Sequence, residues 1–398
     1  MKLVYLHQYF KKPTMNGGIR SYEFAKRLAE SGHDVVVVTS DTNNSFSGWR
    51  IEKLDGFEVH WISVKYDNSY GFLMRMYAFV KFLVLSSVHI CKIDCDKLFA
   101  TSTPLTIAIP ALVFKFFKRK PYVFEVRDVW PEVPIALGVL KSKVLIYSAL
   151  FLEKIAYTQA EHIVALSPDM ASSIKKRCGN TQVTVIPNAS DCHLFNQSIP
   201  DDDFSKCLDD IRNQHDFVVF YTGTLGFVNN LRYLVDLSYH SCGKVGFVVI
   251  GSGSEKRELE NYATEVGVLG HTFHMLPSIS KEQLSTVHAK FHMAISTVLP
   301  IKELYANSAN KVFDAFASGT PIFINHGGWL SELINLEHCG LALKPIASAD
   351  EYNKLYNFLR DDIRYKKACD SSTKLGQYTF NREVLYLKLC KVLEKNFQ

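Results

Sequence analysis

The sequence predicts an α/β protein with two doubly wound domains, and three observations support this prediction. Short apolar strands alternate with amphipathic helices, which is typical of parallel sheets covered by helices on both faces. The alternation begins at Lys2, stops in a polar, acidic stretch over residues 191–215 and begins again at Phe217. In addition, 398 residues exceed the usual size of a single hydrophobic core.

The composition excludes several other classes of protein. Hydrophobic residues make up 47% of the chain and charged residues 21%, as in a globular protein. A net charge of +5 is too small to indicate a nucleic-acid partner. Nine cysteines without a Cys-x-x-Cys pair indicate reduced thiols, and the nearest metal pattern, Cys91 with Cys95, lacks a histidine pair. We therefore expect no metal, and a cytoplasmic protein, since the chain enters a strand at Lys2 without a cleavable signal.

Residues 1–190 are predicted to form the first domain. Gly17 and Gly18 lie between a first strand at 2–7 and the helix that leads to a strand at 35–39. In such a βαβ unit, glycines allow the backbone to approach a ligand at the carboxyl end of the first strand. The spacing is not the Gly-x-Gly-x-x-Gly fingerprint, and a simple tight connection is the alternative.

A second candidate site follows the buried strand at Tyr122–Val126. Arg127, Asp128, Trp130 and Glu132 come directly after it, at the edge where open α/β sheets place their chemistry. The alternative is a structural ion pair of Arg127 with Asp128 or Glu125.

Two apolar segments of the first domain predict peripheral attachment to a membrane. Arg75 and Lys81 interrupt the segment at 71–90, which makes a spanning helix improbable. The segment at 105–117 leads into a basic cluster at 115–120 that would attract anionic lipid. Helices buried within the domain are the alternative.

The second domain is predicted at residues 191–380, with a final helix at 381–398 packing back on the first domain. Its strands end at polar or glycine-containing turns, among them Gly223-Thr224, Gly251-Ser252 and Pro277-Ser278. A helix is expected from about residue 229. We expect the ligand in a cleft between the two domains, because open sheets bind ligands at the carboxyl ends of their strands.

The segment at 307–324 reads as a capped helix followed by a buried strand. Asn307 or Ser308 is expected to cap the helix, and its free amides, with the charge of Lys311, suit a phosphate. Asp314 lies about 5 Å further along the axis, within reach of a ribose hydroxyl. An ordinary amphipathic core helix is the alternative.

Together, these motifs resemble the retaining glycosyltransferases of family 4, which have the GT-B fold of two Rossmann-like domains facing each other across a cleft. The matching pieces, in order, are Gly17-Gly18 with Arg20-Ser21, residues 185–188, Gly223, residues 249–253, residues 310–321, and Gly327-Gly328 with Glu332. Residues 6–10 and 125–132 are similar to a narrower group, the bacterial N-acetyl-L-fucosaminyl transferases of O-antigen and polysaccharide assembly.

The resemblance implies a metal-independent, retaining transfer of a hexose-type sugar from a UDP-sugar. An N-acetylated deoxyhexosamine such as L-FucNAc is the implied sugar, and a polyprenyl-diphosphate-linked saccharide is the implied acceptor. The reaction would serve O-antigen or capsule synthesis at the inner face of a bacterial cytoplasmic membrane. No cofactor is implied.

The resemblance also implies roles for single residues. Lys311, the amides at Ser308, Ala309 and Asn310, and the Gly17-Gly18 turn would stabilise the leaving phosphate. Asp314 would hold the ribose, and Pro277 and Ser278 would meet the nucleotide base. Arg127 and Asp128 would act near the acceptor, where Asp128 either orients the hydroxyl or serves as the base, and Glu125 is the weaker candidate for that role. The other implied donor contacts are Arg20, Asn188, Gly223, Thr224, Asn230 and Gly251.

Two departures from the family pattern bear on the mechanism. An arginine and a lysine that often bind the donor diphosphate are replaced here by Thr224 and Asn229-Asn230. The paired glutamates of the family map to Ala306 and Asp314, so Lys311 and the helix amides would carry more of the phosphate charge. A nucleotide-sugar epimerase or hydrolase of the same fold, and a non-catalytic partner of a polysaccharide assembly complex, are the alternative functions.

Overall fold

The computed structural model describes residues 1–15, 17–42, 46–65, 72–102, 104–179, 181–189, 192–196 and 200–395. The chain divides into two compact units, one of Met1–Pro187 with Tyr386–Gln398 and the other of Asn188–Leu385. The predicted domain boundary at residues 190 and 191, and residue 71 at the start of the predicted apolar segment, lie outside the described residues.

The first unit is an eight-stranded sheet with helices between most of its strands. Its elements are β1 (Lys2–Leu6), α1 (Arg20–Glu30), β2 (Asp34–Asp41), β3 (Trp49–Leu54), β4 (Phe57–Ser63), α2 (Phe72–Lys92), β5 (Lys97–Thr101), α3 (Ala108–Lys118), β6 (Tyr122–Val126), α4 (Glu132–Ala136), α5 (Lys143–Gln159), β7 (His162–Ala165), α6 (Pro168–Cys178) and β8 (Val183–Val185). The strand order is β3-β4-β2-β1-β5-β6-β7-β8, and only the β3–β4 pair is antiparallel. Strands β1 and β5 therefore flank the point where the chain changes direction across the sheet.

The second unit is a six-stranded parallel sheet. Its elements are α7 (Asp203–Asn213), β9 (Phe217–Thr224), α8 (Arg232–Tyr239), β10 (Val245–Ser252), α9 (Lys256–Val266), β11 (Phe273–Leu276), α10 (Lys281–Lys290), β12 (Met293–Ser296), α11 (Asn310–Ser318), β13 (Ile322–Ile324), α12 (Trp329–Glu337), β14 (Gly340–Ala342), α13 (Ala349–Arg360) and α14 (Asp362–Lys374). The strand order is β11-β10-β9-β12-β13-β14. The change of direction here lies between β9 and β12.

Strand alternation builds a core on each face of this second sheet. Val219 and Tyr221 of β9 join one apolar cluster, while Val218 and Phe220 join the other. Successive side chains of a strand point to opposite faces, so a strand between two layers of helices is apolar at every position. This explains the continuous apolar runs in the sequence.

The structure confirms the predicted α/β class with two parallel-sheet domains. It also adds strands that the patterns did not predict, namely β3, β5 and β14. The helix expected from about residue 229 begins at Arg232, after a 3-10 turn at Phe227–Asn229. Among the described helices, none is both long enough and apolar enough to cross a membrane.

The last helix, α15 (Arg382–Leu393), is held in the first unit from Tyr386 onward. The Tyr386 hydroxyl lies 3.0 Å from the carbonyl oxygen of Arg27. The fully buried ammonium of Lys97 donates to the carbonyl of Leu393 at 2.8 Å and pairs with Glu161 at 2.5 Å. Since the last carbonyls of a helix lack partners within it, Lys97 both caps α15 and ties it to β5.

We expect replacement of Lys97 by methionine to lower the free energy of unfolding of the first unit by about 3 kcal/mol, because the carbonyl of Leu393 and the carboxylate of Glu161 both lose the buried ammonium that they contact. Urea unfolding followed by tryptophan fluorescence measures this change. Lys53→Met is the control, because Lys53 is 84% exposed in its pair with Glu58, and it should cost less than about 0.5 kcal/mol. Equal unfolding midpoints for both variants would contradict the assigned role of Lys97.

Candidate functional site

The strongest candidate site lies in the second unit, where strands β9 and β12 meet. In open α/β sheets, ligands bind at the carboxyl ends of strands at such a switch point. Strand β9 ends there with the exposed residues Gly223 and Thr224, and the chain leaving β12 enters α11 at Asn310. Two predicted donor-binding segments therefore converge at this edge.

Lys311 lies at the centre of this site. Its Nζ atom is 3.8 Å from the centroid of the Tyr221 ring. A Cβ added to Gly223 would be 3.6 Å from the same atom. Burial lowers the pKa of Lys311 to about 7, although the negative charge of Asp314 opposes the decrease. The ammonium is therefore held close to the strand end, where the carboxylate of Asp314 only partly offsets the cost of burying its charge.

The start of α11 is open to a ligand. The N-cap residue is Ala309, and no side chain caps the helix, so the prediction that Asn307 or Ser308 caps it was wrong. The Asn307 carboxamide instead accepts from the Ala309 amide at 3.3 Å, one residue before the helix begins. Alanine is a poor N-cap, and an uncapped helix start presents N–H groups and the positive end of the helix dipole.

Asn188 and Ser308, both predicted donor contacts, bind each other and are buried. The Asn188 amide donates to Ser308 Oγ at 3.3 Å, and its Nδ2 donates to the Ser308 carbonyl at 2.6 Å. The hydroxyl oxygen and the carbonyl of Ser308 thus both accept hydrogen bonds inside the unit. We infer that the pair orients the segment before α11, and that the exposed Asn310 and the helix amides are better placed for a ligand.

The glycines at the ends of β9 and β10 serve close packing of the two strands. A Cβ on Gly251 would lie 1.9 Å from the Gly223 carbonyl oxygen. Gly251 is also buried, so the structure gives this predicted donor contact a packing role. The exposed surface at this edge is the backbone of Gly223 and Thr224, where the Thr224 carbonyl accepts from Tyr221 Oη at 2.8 Å and from Asn229 Nδ2 at 2.9 Å.

The remaining predicted contacts are distributed around the same edge. Asp314, one helical turn after Asn310, is 9% exposed. Asn230 has a left-handed backbone with φ of +48° and ends the turn after β9. Pro277 and Ser278 are exposed after β11, an edge strand separated from β9 by β10. The structure thus joins Lys311 and Gly223 directly, together with Tyr221, which the sequence patterns did not identify.

The first unit carries a separate polar cluster at its own switch point. The Arg127 amide donates to Ser102 Oγ at 2.9 Å, and Arg127 Nη1 lies 3.3 Å from His7 Nε2. Because a guanidinium can only donate, Nε2 accepts and the proton of His7 is on Nδ1. Burial, with the charge of Arg127 second, holds the pKa of His7 well below its usual value. His7 was not among the predicted site residues; its position at the end of β1 was the available signal.

Arg20 and Glu125 form the buried support under this cluster. Their side chains pair at 2.9 Å, and Arg20 also donates to the carbonyls of Ile186 and Pro187. These contacts give Arg20 a structural role, and its predicted donor role stays a prediction. Glu125 is paired within the sheet instead of with Arg127, whereas Asp128 is exposed at the strand end.

The glycine turn precedes α1, as predicted. Gly17 is exposed and has φ of +133°, a region that favours glycine. The N-cap of α1 is Ile19, whose side chain has no atom that could accept a hydrogen bond from the first-turn amides. These amides follow β1 directly and remain a candidate anion-binding position. In the described part of the chain, no group of three or more His, Cys, Asp or Glu side chains could hold a metal ion.

Comparison with known proteins places both units in described families. Residues 17–194 match the family described as Glycosyltransferase Family 4, and residues 209–379 match the family described as Glycosyl transferases group 1. A search of curated protein sequences finds no significant match.

Solved structures match over the whole chain at low sequence identity. Sucrose-phosphate synthase from Thermosynechococcus elongatus has a TM-score of 0.80 at 16% identity, with 100% of this chain and 99% of that chain covered. Anabaena Alr3699/HepE in complex with UDP-glucose has a TM-score of 0.74 at 17% identity, with 99% and 100% covered. WaaG, a glycosyltransferase involved in lipopolysaccharide biosynthesis, has a TM-score of 0.70 at 16% identity, with 98% and 99% covered.

At such sequence identities the solved structures show the fold alone. The evidence for glycosyltransferase function comes from the two family matches. The two family matches follow each other along the chain and together span most of it. With its two parallel-sheet units, the chain belongs to the glycosyltransferases of the GT-B fold.

Proposed function

We propose that this protein is a retaining, metal-independent glycosyltransferase that uses a UDP-sugar as donor. The observation that carries the proposal is the Lys311 ammonium beside Gly223, at the uncapped start of α11. A diphosphate brings negative charge and several acceptor oxygens, which this combination of a cation and free amides suits. The structural neighbour in complex with UDP-glucose supports the choice of nucleotide.

We further propose that the transferred sugar is an N-acetylated deoxyhexosamine such as L-FucNAc. The acceptor is a saccharide linked to polyprenyl diphosphate, and the product enters O-antigen or capsule synthesis. The resemblance of residues 6–10 and 125–132 to N-acetyl-L-fucosaminyl transferases supports this finer proposal. The similarity to a lipopolysaccharide glycosyltransferase is in keeping with it.

In the proposed reaction, the leaving phosphate accepts the proton of the acceptor hydroxyl while an oxocarbenium-like sugar forms. Lys311 and the amides of α11 stabilise the charge that develops on the phosphate. In the first unit, Asp128 orients the acceptor hydroxyl, and Arg127, held by His7 and Ser102, fixes the strand end that carries it. Catalysis then depends on positioning and phosphate stabilisation, without a protein nucleophile.

We also propose that the first unit docks on the anionic inner surface of a bacterial membrane. Helix α3 packs against both α2 and α5, and all three helices expose apolar side chains. The most exposed are Tyr77 and Val84 of α2, Phe116 and Phe117 of α3, and Val144, Tyr147 and Phe151 of α5. Lys115, Lys118, Arg119 and Lys120 follow at the end of α3 and complement anionic headgroups.

The donor proposal is tested by UDP binding to wild-type protein and Lys311→Ala, measured by calorimetry. We expect Lys311→Ala to weaken binding about 10- to 100-fold, because a charge-assisted hydrogen bond to phosphate is lost. Lys367→Ala removes an exposed lysine of α14 and should leave the affinity unchanged. If the wild-type protein does not bind UDP, the proposal that a UDP-sugar is the donor is refuted. Release of free sugar from a UDP-sugar without acceptor would identify a hydrolase instead.

Donor binding should depend on pH through Lys311, whose pKa is lowered to about 7. Below this pH the ammonium is charged before and after binding, so the affinity is constant. Above it the free protein must take up a proton to bind, so the affinity should fall up to about tenfold per pH unit. Calorimetry from about pH 7 to pH 9 avoids the second ionisation of UDP, near pH 6. Lys311→Arg stays charged and should abolish the slope; a slope that persists would contradict the assignment.

Membrane docking is tested by sedimentation with vesicles of phosphatidylcholine, with and without phosphatidylglycerol. We expect binding only to the anionic vesicles, and at least about tenfold weaker binding by Phe116→Glu/Phe117→Glu, because two exposed aromatic side chains lose their apolar contact. Ile363→Glu, at a residue that is 85% exposed on α14, is the control. Vesicle binding that is unchanged in the double variant would refute membrane docking through this face. Self-association of the protein through the same face, without vesicle binding, would also refute it.

A further inference from the structure

We propose that Tyr221 is a positioning residue whose ring face holds the Lys311 ammonium at the end of β9, ready for the diphosphate of the donor. This inference rests on the proposed function, since it names the residue that prepares the phosphate-binding lysine. Lys311 is the cation that the structure places beside the end of β9, next to Tyr221 and Gly223.

The ring and the ammonium meet in a defined geometry. Lys311 Nζ lies 3.8 Å from the ring centroid of Tyr221, well within the roughly 6 Å over which an aromatic face attracts a cation. Tyr221 and Gly223 are two residues apart on β9, so both face the same side of the strand. The missing side chain at Gly223 leaves room for the ammonium: a Cβ there would lie 3.6 Å from Nζ and 3.7 Å from the Tyr221 hydroxyl.

The ring is itself fixed in place. Tyr221 is fully buried in the apolar core on one face of the sheet. Its hydroxyl donates to the Thr224 carbonyl at 2.8 Å, and Asn229 Nδ2 donates to the same oxygen at 2.9 Å. The strand end, the turn after it and the aromatic ring therefore form one rigid support. Such a support keeps the lysine at the strand end before any ligand arrives.

Two titratable groups face the ammonium in the described structure, one from each neighbouring element. Asp314 of α11 raises the pKa of Lys311, against the larger effect of burial. Tyr221 of β9 stays neutral, because burial raises the pKa of its phenol above the usual value. The ring therefore acts on Lys311 through its electron-rich face rather than through a charge. Removal of that face should lower the pKa of Lys311 further, by about 0.5 to 1.5 pH units.

The test compares a variant that removes the ring with one that keeps it. Tyr221→Met removes the ring, whereas Tyr221→Phe keeps the ring and loses only the hydroxyl. The pKa of Lys311 is measured by NMR titration of protein labelled with ¹³C at lysine Cε, with the signal assigned by its loss in Lys311→Arg. We expect a lower pKa in Tyr221→Met and a nearly unchanged one in Tyr221→Phe. A wild-type pKa in a folded Tyr221→Met would overturn the inference.

Site-specific incorporation of pentafluorophenylalanine at position 221 gives a second measurement, which does not depend on the stability of Tyr221→Met. It preserves a ring of similar shape while reversing the charge distribution on its face, so the pKa of Lys311 should fall below that of Tyr221→Phe. Equal pKa values in these two proteins would also overturn the inference.

UDP titrations of the same variants separate positioning from a general structural effect. For Tyr221→Met we expect affinity about three- to thirtyfold below wild type at pH 8, and close to wild type near pH 5, where the ammonium is mostly charged in both proteins. A uniform loss at both pH values would indicate a structural role only and refute the positioning. If wild-type protein does not bind UDP, the proposed function fails, while the NMR titration still decides whether the ring holds the lysine.

Discussion

A positive charge held at the carboxyl edge of a parallel sheet is the interaction on which the second unit's chemistry depends. Lys311 reaches this edge because α11 begins there, and it has room because β9 carries glycine at position 223. Burial works against the charge, while the ring of Tyr221 and the carboxylate of Asp314 support it. The diphosphate of the proposed donor would add the negative charge that stabilises the buried ammonium.

In the first unit, by contrast, the charged side chains near the sheet edge are largely paired within the protein. Arg20 and Glu125 neutralise each other under the sheet edge, and the neutral His7 accepts from Arg127. Burial of a charge is costly unless it is paired, which explains why these groups occur together. Asp128 is exposed at the end of this strand, and the proposed mechanism uses its carboxylate to orient the acceptor hydroxyl.

Some apolar side chains of α2, α3 and α5 are buried in the core, and others are exposed on the surface. Phe82 and Phe114 are buried in the unit, whereas Val84 and Phe116 on the same helices are more than half exposed. An exposed apolar patch of this extent is unusual for a surface that meets only water. The basic residues at the end of α3 favour the proposed anionic bilayer over a purely apolar partner.

The sequence by itself determined the α/β class, the repeated βα pattern and the position of Lys311 at a helix start, because these follow from local periodicity and chain order. It did not reveal strand β5, since Lys97 reads as exposed until the carbonyl of Leu393, almost three hundred residues later, is seen to pair with it. For the same reason the sequence did not show that Arg20, Asn188 and Ser308 hydrogen-bond to groups more than a hundred residues away. A polar side chain is free or engaged according to which distant groups the fold brings within about 3 Å of it, and no local pattern contains that information.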